Sequence, residues 1–158
     1  TSRSSIIRHV GTVIQDVNYQ TGAVATGTTL IPDDDTIPTI TEGTEFMTLS
    51  ITPTSATNKL KIDVVWSGSP FGNPFYVALF QDATSAALTA VQDNVGASGW
   101  QITTSFTHYM TAGTTSATTF RIRQGAFTTG TNTFNGFSSS RKLGGVMASS
   151  ITITEIQA

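Results

Sequence analysis

The stretch Asn58–Ser67, NKLKIDVVWS, decides the class of fold. Leu60, Ile62, Val64 and Trp66 alternate with Lys59, Lys61 and Asp63. Successive side chains of an extended strand point to opposite faces, so strict alternation of this kind marks a strand buried on one side. A helix would need apolar residues three and four apart instead.

The same period recurs on both sides. In TEFMTLSI (Thr44–Ile51), Met47, Leu49 and Ile51 share a face, and in TTFRIRQG (Thr118–Gly125), Phe120 and Ile122 oppose Arg121 and Arg123. In WQITTSFTHYM (Trp100–Met110), Trp100, Ile102, Phe106 and Met110 align, with Thr104 and His108 between them. FYVALFQD (Phe75–Asp82) is apolar on both faces, so its second face is expected to meet another subunit or the N-terminal segment. HVGTVIQDV (His9–Val17), a short strand in TNTFNGF (Thr131–Phe137) and a last strand in GVMASSITITEI (Gly145–Ile156) complete the set. The apolar parity of that last segment slips at Ser149 and Ser150, which predicts a bulge there. DATSAALTAVQDN (Asp82–Asn94) reads as strand end, loop and short strand, with room for one helical turn.

Turn formers punctuate these runs in TPTSATN, SGSPFGNP, VGASG, TAGTTSAT and TTGTN. About eight short strands at regular spacing predict an all-β antiparallel sandwich of jelly-roll type. Residues 1–43 read as an N-terminal arm and connector packing on the domain or on a neighbour, and residues 44–158 as the sandwich, a single domain overall.

Composition narrows function by exclusion. The chain has 158 residues, of which 11% are charged, against a usual ~25%. Threonine and serine replace the missing charge, as suits strand surfaces. Net charge is −2, and the basic residues fall in small pairs: Arg3 and Arg8, Lys59 and Lys61, Arg121 and Arg123, Arg141 and Lys142. Phosphate-backbone binding wants a clustered positive stripe, so no nucleic-acid partner is expected. No apolar run approaches a membrane span, and no membrane insertion is expected. There is no cysteine, hence no disulfide, thiolate metal site or cysteine nucleophile. The first residue is Thr1, consistent with a removed initiator or with a piece of a longer chain.

The candidate chemistry is sparse. The calcium candidate is Asp33, Asp34 and Asp35, set between Pro32 and Pro38. Hard cations need several convergent oxygens, and the spacing is not that of an EF-hand. The favoured reading is a solvated acidic turn in which an aspartate side chain caps the backbone. Paired carboxylates of a glycosidase are not singled out by any spacing. His9 and His108 have no neighbouring histidine partner, and no G-x-S-x-G elbow accompanies them. No phosphate-binding glycine loop is present. No catalytic residue and no cofactor are expected. Phe71, Phe127, Phe134 and Phe137 sit in or beside loops. Exposed loop aromatics stack on sugars or anchor a partner subunit; the alternative is that they plug the ends of the sandwich.

Several segments resemble the β-sandwich domains of bacteriophage tail-fibre and related virion proteins. They are DDTIP, EGTEFMTLSITPTSATNKL, VALFQD, FTHYMTAGTTSATTFRIR and GGVMASSITITEI. The resemblance runs from about Thr21 to the end, leaves residues 1–20 outside it, and is most specific in the TPTSATNKL turn. It implies a non-enzymatic structural protein on the exterior of a phage particle, and it brings no catalytic motif to transfer. Two roles follow from it. One is a receptor-binding, tail-fibre-like domain that self-associates as a homotrimer and recognises host surface glycan. The other is a capsid decoration (cement) protein stabilising the shell beside other virion proteins. A glycoside-cleaving domain is a third, less favoured reading.

Overall fold

The computed structural model describes residues 9–97 and 100–158. In chain order its strands are β1 (Val13–Thr21), β2 (Ala25–Gly27), β3 (Thr44–Ile51), β4 (Lys59–Ser69), β5 (Phe75–Gln81) and β6 (Thr89–Asp93). There follow β7 (Ile102–Thr111), β8 (Thr118–Ala126), β9 (Asn132–Phe134), β10 (Gly136–Phe137), β11 (Ser140–Arg141) and β12 (Ser149–Ile156). A 3-10 turn, Leu143–Gly145, separates the last two.

Alternation places β4 at the centre. Leu60, Ile62, Val64 and Trp66 are buried, and β4 pairs antiparallel with β7 along one edge and with β12 along the other. β1 flanks β12, while β9 continues the β12 edge of β4 at Gly68 and Ser69 and carries β2. The second sheet runs β3-β8-β5-β6. Eight strands have five residues or more; numbered among themselves, they order as 1-8-3-6 and 2-7-4-5. That is the strand order of a jelly roll, in which each sheet alternates early and late strands through Greek-key connections. The expected class and architecture therefore hold.

The inner faces meet in one core. Met47 and Ile51 of β3, Phe75, Val77 and Leu79 of β5, and Phe120 and Ile122 of β8 pack against β4 and against Ile151 and Ile153 of β12. Both faces of β5 are buried. The outer face, Tyr76, Ala78 and Phe80, lies under Ile31 and Ile40 of the connector and Ala87 of the β5–β6 loop. Backbone bonds hold this cover in place: Ile31 N donates to Ala126 O (3.1 Å), and Ala87 N donates to Pro38 O (2.9 Å). Gly125 permits the approach, because a Cβ there would stand 2.7 Å from the Ile31 nitrogen and 2.8 Å from the Thr29 oxygen. The apolar outer face of β5 is thus covered within the chain, and it offers no argument for a subunit contact.

Three other sequence expectations change. The boundary at residue 43 does not separate an arm from the sandwich, since β1 is already a strand of the larger sheet; residues 1–8 lie outside the described residues. No bulge occurs at Ser149 and Ser150. β12 keeps unbroken register with β4, and the register shifts fall at Ile14 in β1 and at Phe46 in β3. Ser149 is buried for a polar reason. Between the start of β12 and the end of β9, Ser67 of β4 has no strand partner on that edge, and side chains close the gap. Ser67 N donates to Ser149 Oγ (2.8 Å), Ser149 Oγ donates to Asn135 Oδ1 (2.7 Å), and Asn135 N donates to Ser67 O (2.9 Å). A buried ladder group left unpaired would be costly. Lastly, Trp100 falls outside β7 and is exposed.

Candidate functional site

Strand register sorts the loops into two ends. Val65 faces Ser150, Gly68 faces Ile102, and Phe75 faces both Asp93 and Ala126. Residues 70–74, 94–97, 100–101, 127–131 and 135–148 therefore gather at one end. Residues 52–58, 82–88 and 112–117 gather at the other, together with the first described residues and the C-terminus, where Gln157 N donates to Thr12 O.

The first end collects apolar surface. Phe71, Trp100, Phe127, Leu143 and Val146 lie there, half of the ten large hydrophobic residues that are exposed among the described residues. Two of them are held by neighbouring loops. Phe71 N donates to the buried Asn132 Oδ1 (2.9 Å), and the Phe71 ring lies on Gly130, where a Cβ would fall 2.0 Å from it. Phe127 stands beside Gly72 of the Phe71 loop, 3.2 Å from where a Cβ would be. Phe134 departs from the expectation. It is buried, stacks on Phe46 with ring centroids 5.0 Å apart and packs near Trp66, so it is core and not a glycan or subunit contact.

Phe137 takes part in a recess at this end. Trp100, Gln101, Phe137 and Lys142 line an open hollow of about 470 Å³. The Lys142 ammonium lies 5.3 Å from the Phe137 ring centroid, a cation–π contact. Phe137 is half-buried at the end of β10, whereas Trp100 is 62% exposed. The β10–β11 hairpin turns through Ser138 and Ser139, both left-handed (φ 48° and 61°). Asn135 and Leu143 are left-handed too, so four of the five non-glycine residues with positive φ among the described residues belong to this one segment. Leu143 is also 71% exposed, so packing does not explain its strain. Strained backbone of this sort concentrates where a binding surface is shaped.

Charge is one-sided along the segment between Asp93 and Glu155, which supplies most of these loops. No Asp or Glu occurs between Asp93 and Glu155. Four cations fall in that interval. Arg121 pairs with Glu45 (3.2 Å), and Arg123, its charge disfavoured by burial, donates to the carbonyls of Glu42 and Gly43. Arg141 and Lys142 have no carboxylate partner among the described residues.

The aspartate triplet is elsewhere, in the connector. Asp33 accepts a hydrogen bond from the Tyr76 hydroxyl, and Asp34 accepts from Thr36 N (2.8 Å) and Thr36 Oγ1 (2.5 Å). Those two bonds to Thr36 hold the Asp34 carboxyl below its ordinary value. Burial, then the bond to and charge of Asp33, push the Tyr76 phenol well above its own. Asp35 is exposed. This is the backbone-capping turn expected from the sequence, and no three His, Asp or Glu side chains converge among the described residues. His108 sits in β7 opposite Ile62, and its burial lowers the imidazole pKa; His9 precedes β1 at the far end.

Of the sequence candidates, the structure brings Phe71, Phe127 and Phe137 to one end and removes Phe134. Trp100 and Lys142 were missed as site residues. The signal for Trp100 was its place directly after the glycine-rich turn GASG; for Lys142 it was the long run without carboxylates around the Arg141–Lys142 pair.

No protein-family model matches the sequence, and no curated protein matches it. Solved structures similar to it include a Bacillus endospore appendage from a family of disulfide-linked pili, at 10% identity over 99% of this chain and 100% of that one, with a TM-score of 0.37. Infectious bursal disease virus (Gx strain) matches at 12% identity over 92% of this chain and 33% of the viral chain, with a TM-score of 0.44. The enzymatically active domain of tailspike protein 4 from bacteriophage CBA120 matches at 14% identity over 89% of this chain and 19% of that one, with a TM-score of 0.33.

Proposed function

We propose that this chain is a non-enzymatic structural protein on the exterior of a bacteriophage particle, a tail-fibre-like domain whose loop end contacts host surface glycan. The observation that carries the reading is the loop end itself: three exposed aromatics and a cation-bearing hollow occur at the same end of the sandwich, opposite the end where the described chain starts and finishes. Aromatic faces, amide groups and hydroxyls are the groups that hold sugars. With no carboxylate in residues 94–154, these loops are equipped to bind and not to exchange protons with a scissile bond. Homotrimeric assembly is part of the proposal and draws on the resemblance to fibre domains.

The experiment is imaging of particles labelled on this chain, with its mass in solution measured by light scattering. Label at fibre tips and a trimeric mass are expected; label spread over the shell would overturn the fibre role. A second reading, capsid decoration, draws on the outer face of the larger sheet. Rows such as Asn18, Thr152, Asp63 and Thr107 present short polar groups there, and no described segment covers them. Uniform shell label, with loss of shell stability on deletion, would favour it.

A further inference from the structure

We infer that the hollow between Trp100, Phe137 and Lys142 is an anion-selective saccharide subsite, one that takes a sugar bearing a carboxylate; this rests on the glycan-binding reading above. Three observations converge on it. Trp100 offers an exposed indole face, on which the apolar side of a sugar ring stacks. Lys142 stands over Phe137, so its ammonium is positioned before any ligand arrives, and Arg141 precedes it in the hairpin. Neither cation is neutralised by a carboxylate among the described residues, and the chain supplies no Asp or Glu from residue 94 to residue 154.

Neutral sugars need stacking and hydrogen bonds alone, and Gln101 with the loop hydroxyls would serve them. The uncompensated Lys142 ammonium beside a stacking platform gives an acidic sugar more than it gives a neutral one. A charge-assisted hydrogen bond from ammonium or guanidinium to carboxylate is about twice as strong as a neutral one. The chain as a whole carries a net charge of −2, which makes this cationic corner a local exception. The strained backbone at Ser138, Ser139 and Leu143 is the scaffold that presents Phe137 and Lys142 together.

The test uses the full chain and an array of oligosaccharides carrying sialate or uronate, each beside its carboxyl-reduced counterpart. Hits are then titrated by tryptophan fluorescence. Trp66 is fully buried and Trp100 is not, so a quench on binding reports the hollow. Acidic forms are expected to bind roughly tenfold or more tightly than reduced forms, with affinity falling as salt rises. Lys142→Met should remove that preference, and Trp100→Ala should weaken both forms; circular dichroism checks that each variant is folded. Equal binding of acidic and reduced forms, or a silent Lys142→Met, would overturn the anionic subsite while leaving glycan binding at the loop end intact. Absence of any saccharide binding would overturn both.

Discussion

The Asn58 amide donates to the Glu155 carboxylate at 2.7 Å, joining residues 97 apart in the chain. Around the same carboxylate, Gln15 Nε2 donates at 2.7 Å, Thr54 N at 2.8 Å, Thr54 Oγ1 at 2.9 Å and Ser55 N at 3.3 Å. Glu155 is fully buried. Its ring of donors explains the composition of the TPTSATN turn: Thr54, Ser55 and Asn58 all address one anion on β12. The bond from Gln15 ties β1 to the same point.

Acid should therefore loosen the fold at this carboxylate. Burial by itself would raise the Glu155 pKa, but the bonds from Gln15, Asn58 and Thr54 outweigh it and bring the pKa to about 2. The folded value lies below the unfolded one, so the stabilisation is complete above about pH 5 and drains away as pH falls toward 2. The loss is about 3 kcal/mol. Thermal unfolding followed from pH 7 to pH 3 checks this. Glu155→Gln should be less stable at pH 7 and show a flatter pH profile; parallel profiles would refute the role.

Two isoleucines of the connector should behave differently. Ile31, which covers the β5 outer face, is 1% exposed, and Ile37 is 64% exposed. Ile31→Ala is expected to cost about 2–5 kcal/mol by leaving a cavity, and Ile37→Ala about 0.5 kcal/mol or less. Urea denaturation midpoints measure the contrast, and equal shifts would show that the connector is not a structural cover.

Phe134 and Phe71 are separated by the same kind of comparison. Phe134→Ala should cost about 3–5 kcal/mol, since it empties a site between Phe46 and Trp66. Phe71→Ala, at a half-open loop position, should cost about 1 kcal/mol or less. Calorimetric melting of the two variants decides it.

The hairpin turn is open to improvement. A two-residue turn with both residues left-handed favours Asn-Gly, and here it is Ser138–Ser139. Replacing the pair with Asn-Gly should add about 1 kcal/mol and raise Tm by about 2–4 °C. A fall in Tm would mean that the serine side chains hold the turn by contacts of their own.

The acidic turn gives a prediction about metal. Asp33 and Asp34 are engaged by Tyr76 and Thr36, so a chelator should leave the melting temperature unchanged. Tyr76→Phe, which removes the hydroxyl from Asp33, should lower stability by about 1–2 kcal/mol. A large drop with chelator would restore the triplet as a cation site.

Period-2 patterning is a local property of an extended chain, and so β3, β4, β5, β7 and β8 were legible in the sequence. Alternation cannot say what covers a face. The outer side of β5 could have met another subunit; Ile31 and Ile40 meet it instead, because Gly125 lets the connector lie on β8. Phe134 read as a loop aromatic because β9 is three residues long. It is core because the free edge of β4 beyond Ser67 captures that short segment.

Residue type and near-neighbour spacing were enough to fix an all-β chain of about eight strands, the capped acidic turn and the scarcity of charge. Tertiary structure alone decided the jelly-roll strand order, the burial of Glu155 among donors from distant segments, and the meeting of Trp100 with Phe137 and Lys142. Those depend on which strands pair across long loops. Only strand pairing brings residues 37–42 positions apart into one hollow.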